Sequence, residues 1–367
     1  MILSIAYVVL GFMMVRWLVV LFNFVTRPLL PVNKSVNSIP EQISLLIPAR
    51  NEEHNLKILL ATLIENNTSI FKEVLILDDH STDNTAALVS EFSKQDPKIK
   101  LLKGSDLPTG WLGKNWACHQ LALAATGSYL LFIDADTSLS KEVVPYALNR
   151  LQTLKLALLS LFPDQQMKSV GEKMTVPLMH YFLLTLLPLR LVKSTSEPSL
   201  SAANGQFMLF DANTYKKFEF HKLVKDNILE DVNIMRLVKK NGLKGEVLLA
   251  NGTMICRMYR SGREAINGFG KNFFLGFNKN IPAFLIYLFF ILPGWIFVFL
   301  SFNPALIITY TTLILTIRLM VSVLSNQSVS FNFFMHPLQA MVFAYIGIYS
   351  LYIHLTGKVE WKGRKIS

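Results

Sequence analysis

Three pairs of acidic residues stand where the sequence predicts the end of a strand or the start of a helix. In chain order they are Asp78 and Asp79 after the apolar run EVLIL, Asp134 and Asp136 after YLLFI, and Glu230 and Asp231 at the start of EDVNIMRLVKKNG. The first two pairs would meet at one edge of a sheet, where repulsion and lost hydration are costly unless a cation joins them. Mg²⁺ and Mn²⁺ prefer oxygen ligands and commonly bring substrate phosphates. These pairs therefore predict a site for a divalent metal and a diphosphate.

Each pair also has an ordinary structural explanation. Asp136 or Ser138 could cap a helix that runs through KEVVPYALNRL, and the Asp and Ser residues of DDHSTDNT are common in turns. Apolar positions 228, 232, 235 and 238, with a stop at Gly242, predict a helix whose first turn contains Glu230 and Asp231. Acidic side chains there complement the helix dipole. The functional alternative is a general base held at the helix N-terminus.

Several basic residues stand where they could meet a diphosphate. Lys114 precedes a predicted helix, and a lysine beside a helix N-terminus suits phosphate, although an exposed lysine explains the position equally well. Arg257, Arg260 and Lys271 in CRMYRSGREAINGFGKN could contact a leaving diphosphate. A solvated basic patch at a membrane surface is the competing explanation.

The composition favours a membrane protein. Of the 367 residues, 51% are hydrophobic, the net charge is +11 and the mean hydropathy is +0.38. A basic excess in a membrane protein commonly lies on the cytoplasmic side. The two cysteines, Cys118 and Cys256, make no disulfide framework, and the sequence shows no Cys/His metal cluster. The basic residues are dispersed, so we expect no nucleic-acid partner.

Between residues 42 and 280, short apolar runs alternate with charged segments of helical period. Strands are predicted at 43–47, 73–77, 98–102 and 129–133. Helices are predicted at 52–66, 82–95 and 115–126. The alternation predicts an α/β domain with a mostly parallel sheet, which binds ligands at the carboxyl ends of its strands.

Long apolar segments flank this domain. Residues 1–27 are predicted to be an uncleaved transmembrane anchor, in which Arg16 is the one charge before Arg27. Arg27 and Lys34 predict a cytoplasmic catalytic domain in a multi-pass protein of the cell membrane. Within 281–356, spans are predicted at 281–302, 304–324 and 333–356, the second being the weakest because it contains Arg318.

The predicted topology contains a conflict. Three full spans after a cytoplasmic domain would put the basic tail, residues 357–367, outside, against the positive-inside rule. Either one segment is re-entrant or interfacial, or the rule fails. The apolar stretch 175–192, interrupted by Pro177, His180 and Pro188, is predicted to be a helix lying on the membrane, with a further span as the alternative.

Five motifs occur in a fixed order over residues 42–275: LLIPARNEEHNL, LILDDHSTDNT, LLFIDADTSLS, NGQFMLF and ILEDVNIMRLVKKNG. Together they resemble the family 2 glycosyltransferases, which are inverting enzymes that use nucleotide-diphosphate sugars. The resemblance implies a GT-A domain with a Rossmann-like mixed sheet. Processive members carry Q-x-x-R-W, which is absent here, where RMYR at 257–260 has a comparable place. This difference implies a single sugar transfer.

The resemblance also implies a role for each motif. Asp134 and Asp136 would form the metal-binding motif, with Asp136 the likelier ligand of Mg²⁺ or Mn²⁺. Asp231, beside Glu230, would be the catalytic base. The acceptor loop would consist of Asn204, Gly205 and Gln206. The resemblance implies that the nucleotide sugar is contacted by Pro48, Arg50, Glu52, Asp78, Asp79 and Asp134. The positions of the basic residues add three further candidates, Lys114, Arg257 and Arg260.

A narrower resemblance is carried by GWLGKNWACHQLA, RMYRSGREAINGFGKN and VEWKGRKIS. These stretches are similar to membrane glycosyltransferases of bacterial carotenoid and hopanoid pathways. Phe269 stands where those relatives tend to have tryptophan, which puts a stacking contact in doubt. The resemblance implies transfer of a sugar from a UDP-sugar to a lipid acceptor. It favours glucose as the sugar and a carotenoid acid such as 4,4'-diaponeurosporenoate as the acceptor. Alternatives are a hopanoid or polyprenyl-phosphate acceptor, or a degenerate transferase that acts as a membrane scaffold.

Overall fold

The computed structural model describes residues 1–32, 42–66, 68–358, 360–361 and 364–365. The chain divides into two compact units. The sheet unit consists of Pro28–Asp164 and Leu189–Arg257, and the helical unit of Met1–Arg27, Gln165–Pro188 and Met258–Ser367. Lys34 and five positions of the predicted basic tail (359, 362, 363, 366 and 367) lie outside the described residues.

The described residues form strands and helices along the whole chain. The strands are β1 (Ile43–Ala49), β2 (Phe71–Asp78), β3 (Ile99–Lys103), β4 (Tyr129–Ile133), β5 (Thr137–Leu139), β6 (Leu158–Phe162), β7 (Asp164–Gln165), β8 (Phe207–Asp211), β9 (Gly245–Leu249), β10 (Met254–Cys256), β11 (Glu360–Trp361) and β12 (Arg364–Lys365). The α-helices are α1 (Ile2–Thr26), α2 (Glu53–Glu65), α3 (Thr85–Gln95), α4 (Gly113–Ala124), α5 (Val143–Leu154), α6 (Val170–Thr175), α7 (Pro177–Leu186), α8 (Arg190–Ser194), α9 (Ala212–Phe218), α10 (Phe220–Leu223), α11 (Glu230–Lys240), α12 (Gly262–Phe273), α13 (Ile281–Ile291), α14 (Gly294–Leu300), α15 (Pro304–Leu324), α16 (Val329–Phe334) and α17 (His336–Leu355). Short 3₁₀ helices cover Thr68–Ile70 and Phe274–Phe277.

The sheet unit is built on a seven-stranded mixed sheet with the order β3-β2-β1-β4-β8-β6-β9. The first four strands are parallel, and β8 runs antiparallel to both of its neighbours, β4 and β6. Branched and aromatic apolar runs favour such a buried sheet. In β4, for example, all residues from Leu130 to Ile133 are buried. This is the α/β architecture expected from the alternating pattern, with the reversal at β8 giving it a mixed sheet.

The seven elements predicted from periodicity are all present, with ends shifted by at most three residues. The largest shift is at α3, which begins at Thr85 instead of residue 82. The carboxylate of Asp83 explains this, because it accepts hydrogen bonds from the backbone N–H of Thr85 at 3.0 Å and of Glu53 at 3.2 Å. Residues 82–84 therefore form a bend before α3, and Asp83 bonds this bend to the start of α2. The helix predicted to end before Gly242 is also present, as α11.

The proposed helix cap at Asp136 or Ser138 is wrong. Residues Thr137–Leu139 form β5, which pairs with β10 in the register Thr137 to Cys256. The following helix, α5, begins only at Val143, and the residue before it, Glu142, makes no capping hydrogen bond through its side chain. Pairing with a distant strand has overridden the local tendency of Asp and Ser to start a helix.

The helical unit contains four stretches that are long and apolar enough to cross a membrane by length and composition, among the residues that the structure describes. They are Ile2–Thr26, Ile281–Leu300, Pro304–Leu324 and His336–Leu355. The first is the predicted anchor. The second is interrupted at Leu292 and Pro293, between α13 and α14. The least apolar is His336–Leu355, not Pro304–Leu324 as the presence of Arg318 suggested.

The apolar stretch 175–192 does not form one long helix. It contains the ten-residue helix α7, which ends where Leu187 adopts an extended conformation. Ten residues of helix span only about 15 Å, too short to cross a bilayer by itself, so the alternative of a further span is not supported. One face of α7 is buried against α1 and α15. Its predicted position at the membrane surface stays a prediction.

The domain boundaries deduced from sequence are not tested by the structure. Within the predicted domain 42–275, the segment from Gln165 to Pro188 and the residues from Met258 onward belong to the helical unit by their contacts. A continuous stretch of sequence therefore contributes to both units.

Candidate functional site

The loops after β1 and β2 are joined by hydrogen bonds at the carboxyl edge of the sheet. The backbone N–H of Asp79 donates to the carbonyl of Ala49 at 2.8 Å. The guanidinium of Arg50 donates to the carbonyl of Asp79 at 3.0 Å and lies 3.6 Å from its carboxylate. Asn51 and His80 both adopt left-handed backbone conformations, with φ of 54°. The ends of β1 and β2 are therefore neighbours, whereas β1 separates β2 from β4, so the meeting of the pair Asp78–Asp79 with Asp134 and Asp136 stays a prediction.

The predicted nucleotide contacts in these loops have distinct environments. Pro48 lies inside β1, opposite Leu77 of β2. Asp78 ends β2, and its carboxylate accepts from the N–H of Ser81 at 3.2 Å, so it also shapes the turn. Asp79 is 5% exposed. The side chain of Glu52 accepts from Asn55 at 2.7 Å.

A lysine joins two acidic residues that the sequence assigned to different motifs. The ammonium of Lys114 lies 2.8 Å from the carboxylate of Asp134 and 3.2 Å from that of Glu230. Burial alone would lower the pKa of Lys114, but the charges of Asp134 and Glu230 outweigh it and hold that pKa well above its usual value. Lys114 is thus a permanent cation, and as the second residue of α4 it lies beside a helix N-terminus.

Gly205 provides a close backbone approach to this ion cluster. Its N–H donates to the carboxylate of Asp231 at 3.0 Å. A Cβ atom at position 205 would lie 2.9 Å from the ammonium of Lys114 and 3.2 Å from the carboxylate of Glu230. A side chain at this position would therefore displace the ions.

Asp231 is held at the start of α11 by two backbone N–H groups. One oxygen accepts from Gly205, and the other accepts from Val232 at 2.7 Å. Burial and the charge of Glu230 raise the pKa of Asp231 to about 7, although both N–H groups favour its ionised form. A carboxyl group with this pKa exchanges a proton readily near neutral pH, as a general base must.

Asn204 and Gln206, predicted to contact the acceptor, brace the loop that directly precedes β8. The backbone N–H of Asn204 donates to Ser160 at 2.7 Å, and its side chain accepts from the N–H of Gln206 at 2.9 Å. The side-chain amide of Gln206 donates to the sulfur of Cys256 at 2.7 Å. Both amide side chains are buried. Contact of these two side chains with an acceptor stays a prediction, whereas Gly205 adjoins the ion cluster directly.

Asp136 has the properties expected of a metal ligand. Its Oδ1 is buried and has no hydrogen-bond partner among the residues that the structure describes. Burial and the nearby charges of Asp134 and Glu52 raise the pKa of Asp136 to about 7. A divalent cation would satisfy the orphaned oxygen and relieve the repulsion. The residues present therefore fit Mg²⁺ or Mn²⁺.

The chain by itself does not supply a complete set of metal ligands within its described parts. No group of three or more His, Cys, Asp or Glu side chains there could hold a metal ion. Asp134 is already paired with Lys114. A metal at Asp136 would thus need further oxygen ligands, which the phosphates of a donor substrate would provide.

The arginine and lysine residues predicted to contact the diphosphate from the segment 256–272 belong to different units. Arg257 directly follows β10, and its backbone N–H donates to the carbonyl of Asp136 at 3.4 Å. Arg260 and Lys271 belong to the helical unit. The N–H of Arg260 donates to Glu264 at the start of α12. Contact of Arg260 or Lys271 with a diphosphate stays a prediction.

Sequence reasoning missed two residues that support the site. Ser160 makes two hydrogen bonds to the backbone of Asn204, and Cys256 accepts the hydrogen bond from Gln206. Ser160 is the one polar residue in the buried run LLSLF of β6. A lone hydroxyl in a buried strand was an available signal, since such a group needs a partner.

Comparison with known proteins shows which proteins the chain resembles. Residues 44–211 match the family model described as Glycosyl transferase family 2. This segment is therefore similar to the family 2 glycosyltransferases, and the sheet unit has the GT-A fold that the five motifs implied.

More particular similarities extend over almost the whole chain. The chain is similar to 4,4'-diaponeurosporenoate glycosyltransferase of Staphylococcus aureus (strain USA300), with 26% identity over 352 residues that cover 91% of this chain and 90% of the relative. Among solved structures, the mannosyltransferase PcManGT from Pyrobaculum calidifontis, in complex with GDP-Man and Mn²⁺, matches with a TM-score of 0.56 and 15% identity. This match covers 97% of this chain and 99% of that one, and it shows the fold alone.

Proposed function

We propose that this protein transfers glucose from UDP-glucose to a carotenoid carboxylic acid in a bacterial cell membrane, with inversion at the anomeric carbon and with Mg²⁺ or Mn²⁺ at Asp136. The observation that carries the proposal is the cluster in which Lys114 joins Asp134 to Glu230 beside the Gly205–Asp231 hydrogen bond. The similarity to a carotenoid glycosyltransferase supports the choice of donor and acceptor. Within the described residues, four stretches that are long and apolar enough to cross a membrane suit a lipid acceptor.

The donor would bind at the carboxyl edge of the sheet. The loops that contain Arg50 and Asp79 would contact the nucleoside, and Asp134 would lie next to the diphosphate. A divalent metal held by Asp136 would neutralise the charge that develops on the leaving UDP. Lys114 adds a fixed positive charge beside a helix N-terminus, where phosphate binds well.

In the transfer step, an acceptor oxygen forms a bond to the anomeric carbon while the bond from that carbon to the phosphate oxygen breaks. UDP leaves with the electron pair of the broken bond. The attack comes from the side opposite UDP, so the configuration inverts. Gly205 leaves room beside the cluster, because a side chain there would occupy the space between Lys114 and Glu230.

The role of Asp231 depends on the acceptor. An alcohol must lose its proton as it attacks, and Asp231 in its ionised form would accept that proton, an effect worth roughly 10²–10⁴ in rate. A carboxylic acid is already ionised at neutral pH and needs no base. For this acceptor, protonated Asp231 would orient the carboxylate by donating a hydrogen bond, whereas ionised Asp231 would repel it.

The test uses membranes that contain the full-length protein. They are incubated with radiolabelled UDP-glucose, Mg²⁺ or Mn²⁺ and an apocarotenoid acid, and the lipids are extracted. We expect a labelled, alkali-labile product that EDTA abolishes. Asp136→Asn should lose the product, and Asp226→Asn, which changes an exposed acid before α11, should retain it.

Two results would contradict the proposal. Label on a hopanoid or polyprenyl phosphate, with none on the apocarotenoid acid, would overturn the acceptor. UDP-glucose that is neither bound nor consumed with any of these lipids would overturn the transferase activity and favour a membrane scaffold.

A further inference from the structure

Two arginines are buried inside the helical unit. Arg16 of α1 is 2% exposed and Arg318 of α15 is fully buried. The sequence has no Asp or Glu in residues 1–27 or 281–356, and no ion pair joins either guanidinium to a carboxylate among the described residues. A charged group among apolar helices is costly unless a partner compensates it, and such residues commonly mark functional sites.

The protein offers these cations only neutral partners. Arg16 donates to the hydroxyl of Thr185 at 2.9 Å, and Arg318 donates to the side-chain carbonyl of Gln339. Both guanidinium carbons lie near the ring of Tyr181, at 4.9 Å and 5.1 Å from its centroid. These contacts lower the cost of burial but leave two positive charges uncancelled.

Each guanidinium also has an unused donor. Nε of Arg16 and Nη1 of Arg318 are buried and have no hydrogen-bond partner within the described parts of the chain. Because buried donors are nearly always satisfied, these atoms indicate a missing acceptor. Because each guanidinium carbon lies about 5 Å from the centroid of the same ring, the two carbons are at most 10 Å apart, so an anion at Arg16 would also be attracted by the charge of Arg318.

A cavity of about 30 Å³ adjoins this group. Arg16, Tyr181 and His336 line it together with apolar side chains of Met13, Leu178 and Phe343. A single water needs roughly 10–15 Å³ by this measure, so the cavity holds a group of a few atoms and excludes a sugar. Its walls contain the cation of Arg16, the polar rings of Tyr181, Tyr310 and His336, and otherwise apolar side chains, which suits the head of an amphiphile.

We propose that this cavity binds the carboxylate of a long-chain carboxylic acid from the membrane. Arg16 would contact the carboxylate, and Arg318 would add the second positive charge. A carboxylate is small and planar, and its two oxygens match the donors of a guanidinium. The chain of the lipid would extend along the apolar helices. The proposal concerns the helical unit alone and does not depend on the transfer reaction.

The test measures lipid binding by the purified full-length protein in detergent, without nucleotide sugar or metal. The probes are palmitate, methyl palmitate and hexadecyl phosphate, which share the chain and differ in the head. We expect palmitate to bind at least tenfold more tightly than methyl palmitate and more tightly than hexadecyl phosphate. Arg16→Gln should weaken palmitate binding at least tenfold, and Arg318→Gln should weaken it several-fold. The control Arg263→Gln, an exposed arginine of the same unit, should leave it unchanged.

Three results would overturn the proposal: equal binding of palmitate and methyl palmitate, tighter binding of hexadecyl phosphate than of palmitate, or unchanged palmitate binding by Arg16→Gln. If Arg16→Gln does not fold, the comparison of the three probes with the wild-type protein decides the question.

Discussion

Replacing Gly205 by alanine should impair catalysis more than folding. The new Cβ would lie 2.9 Å from the ammonium of Lys114, and an ordinary contact needs 3.4 Å, so the ammonium must retreat by 0.5 Å. Because this atom is the free end of a flexible side chain, we expect the free energy of unfolding to fall by less than about 1 kcal/mol. Part of this loss is offset because alanine has less conformational entropy than glycine in the unfolded chain.

The same displacement of the Lys114 ammonium should disturb the ion contacts of the site. Lys114 lies 2.8 Å from Asp134 and 3.2 Å from Glu230, so movement away from position 205 must lengthen at least one of these contacts. In the free protein, water can compensate for the lengthened contact, because the side chains of Lys114 and Asp134 are 25% and 27% exposed. In the transition state, where bound substrate excludes this water, loss of one charge-assisted hydrogen bond costs about 1.5–3 kcal/mol. If the transition state depends on that contact, kcat/KM should fall roughly 10–100-fold.

The assay measures kcat/KM for UDP-glucose and the free energy of unfolding, each for the variant and for the wild-type protein. Gly242→Ala is the matched control, because Gly242 has φ of +69° and no atom lies within 4 Å of a Cβ placed there. Backbone strain should cost this variant about 1–2 kcal/mol of stability without changing kcat/KM. The reasoning is refuted if Gly205→Ala keeps wild-type kcat/KM, or if its activity falls only in proportion to its stability.

Three further predictions concern the two carboxyl groups with raised pKa. Asp231→Asn should lower the rate with an alcohol acceptor roughly 10²–10⁴-fold, because asparagine cannot accept a proton. With a carboxylate acceptor the rate should change only a few-fold, because asparagine can still donate a hydrogen bond. Equal and near-total loss of activity with both acceptors would contradict this prediction. With wild-type protein, the rate with an alcohol should rise with pH through about 7, where Asp231 ionises, and the rate with a carboxylate should fall over the same range. Parallel pH profiles for the two acceptors, or profiles that Asp231→Asn leaves unaltered, would argue against Asp231 as the titrating group. Asp136→Asn should abolish the dependence of UDP binding on Mn²⁺, as measured by calorimetry, whereas retained Mn²⁺-dependent binding would exclude Asp136 as a ligand.

The apolar periodicity of the sequence was enough to predict β4, α2 and the other early elements of the sheet unit, because period and burial are local properties of the chain. It failed at β5, where Ser138 favoured a helix cap. That strand exists because β10, more than 100 residues later, pairs with it. The sequence also did not reveal the reversed direction of β8, since strand direction depends on which neighbours a strand finds.

The candidate site divides in the same way. Acidic pairs at predicted strand ends, and the order of the five motifs, were sufficient to propose roles for Asp134, Asp136 and Asp231 and to imply a metal and a diphosphate. The sequence did not predict the pKa values of these groups or their ionic partners. The raised pKa of Asp231 depends on burial and on Glu230, and the cation that joins Asp134 to Glu230 comes from Lys114, far from both in the chain.

The residue types and their local periodicity thus specify the strands, the apolar helices and the groups capable of the chemistry, because each of these properties acts over a few residues. The tertiary structure decides which charges meet. Lys114 approaches Glu230 only because the backbone at Gly205 leaves space for it, and Arg16 lacks an acidic partner only because of the helices that surround it. Electrostatic energies depend on distance and burial in space, and neither is encoded by separation along the chain.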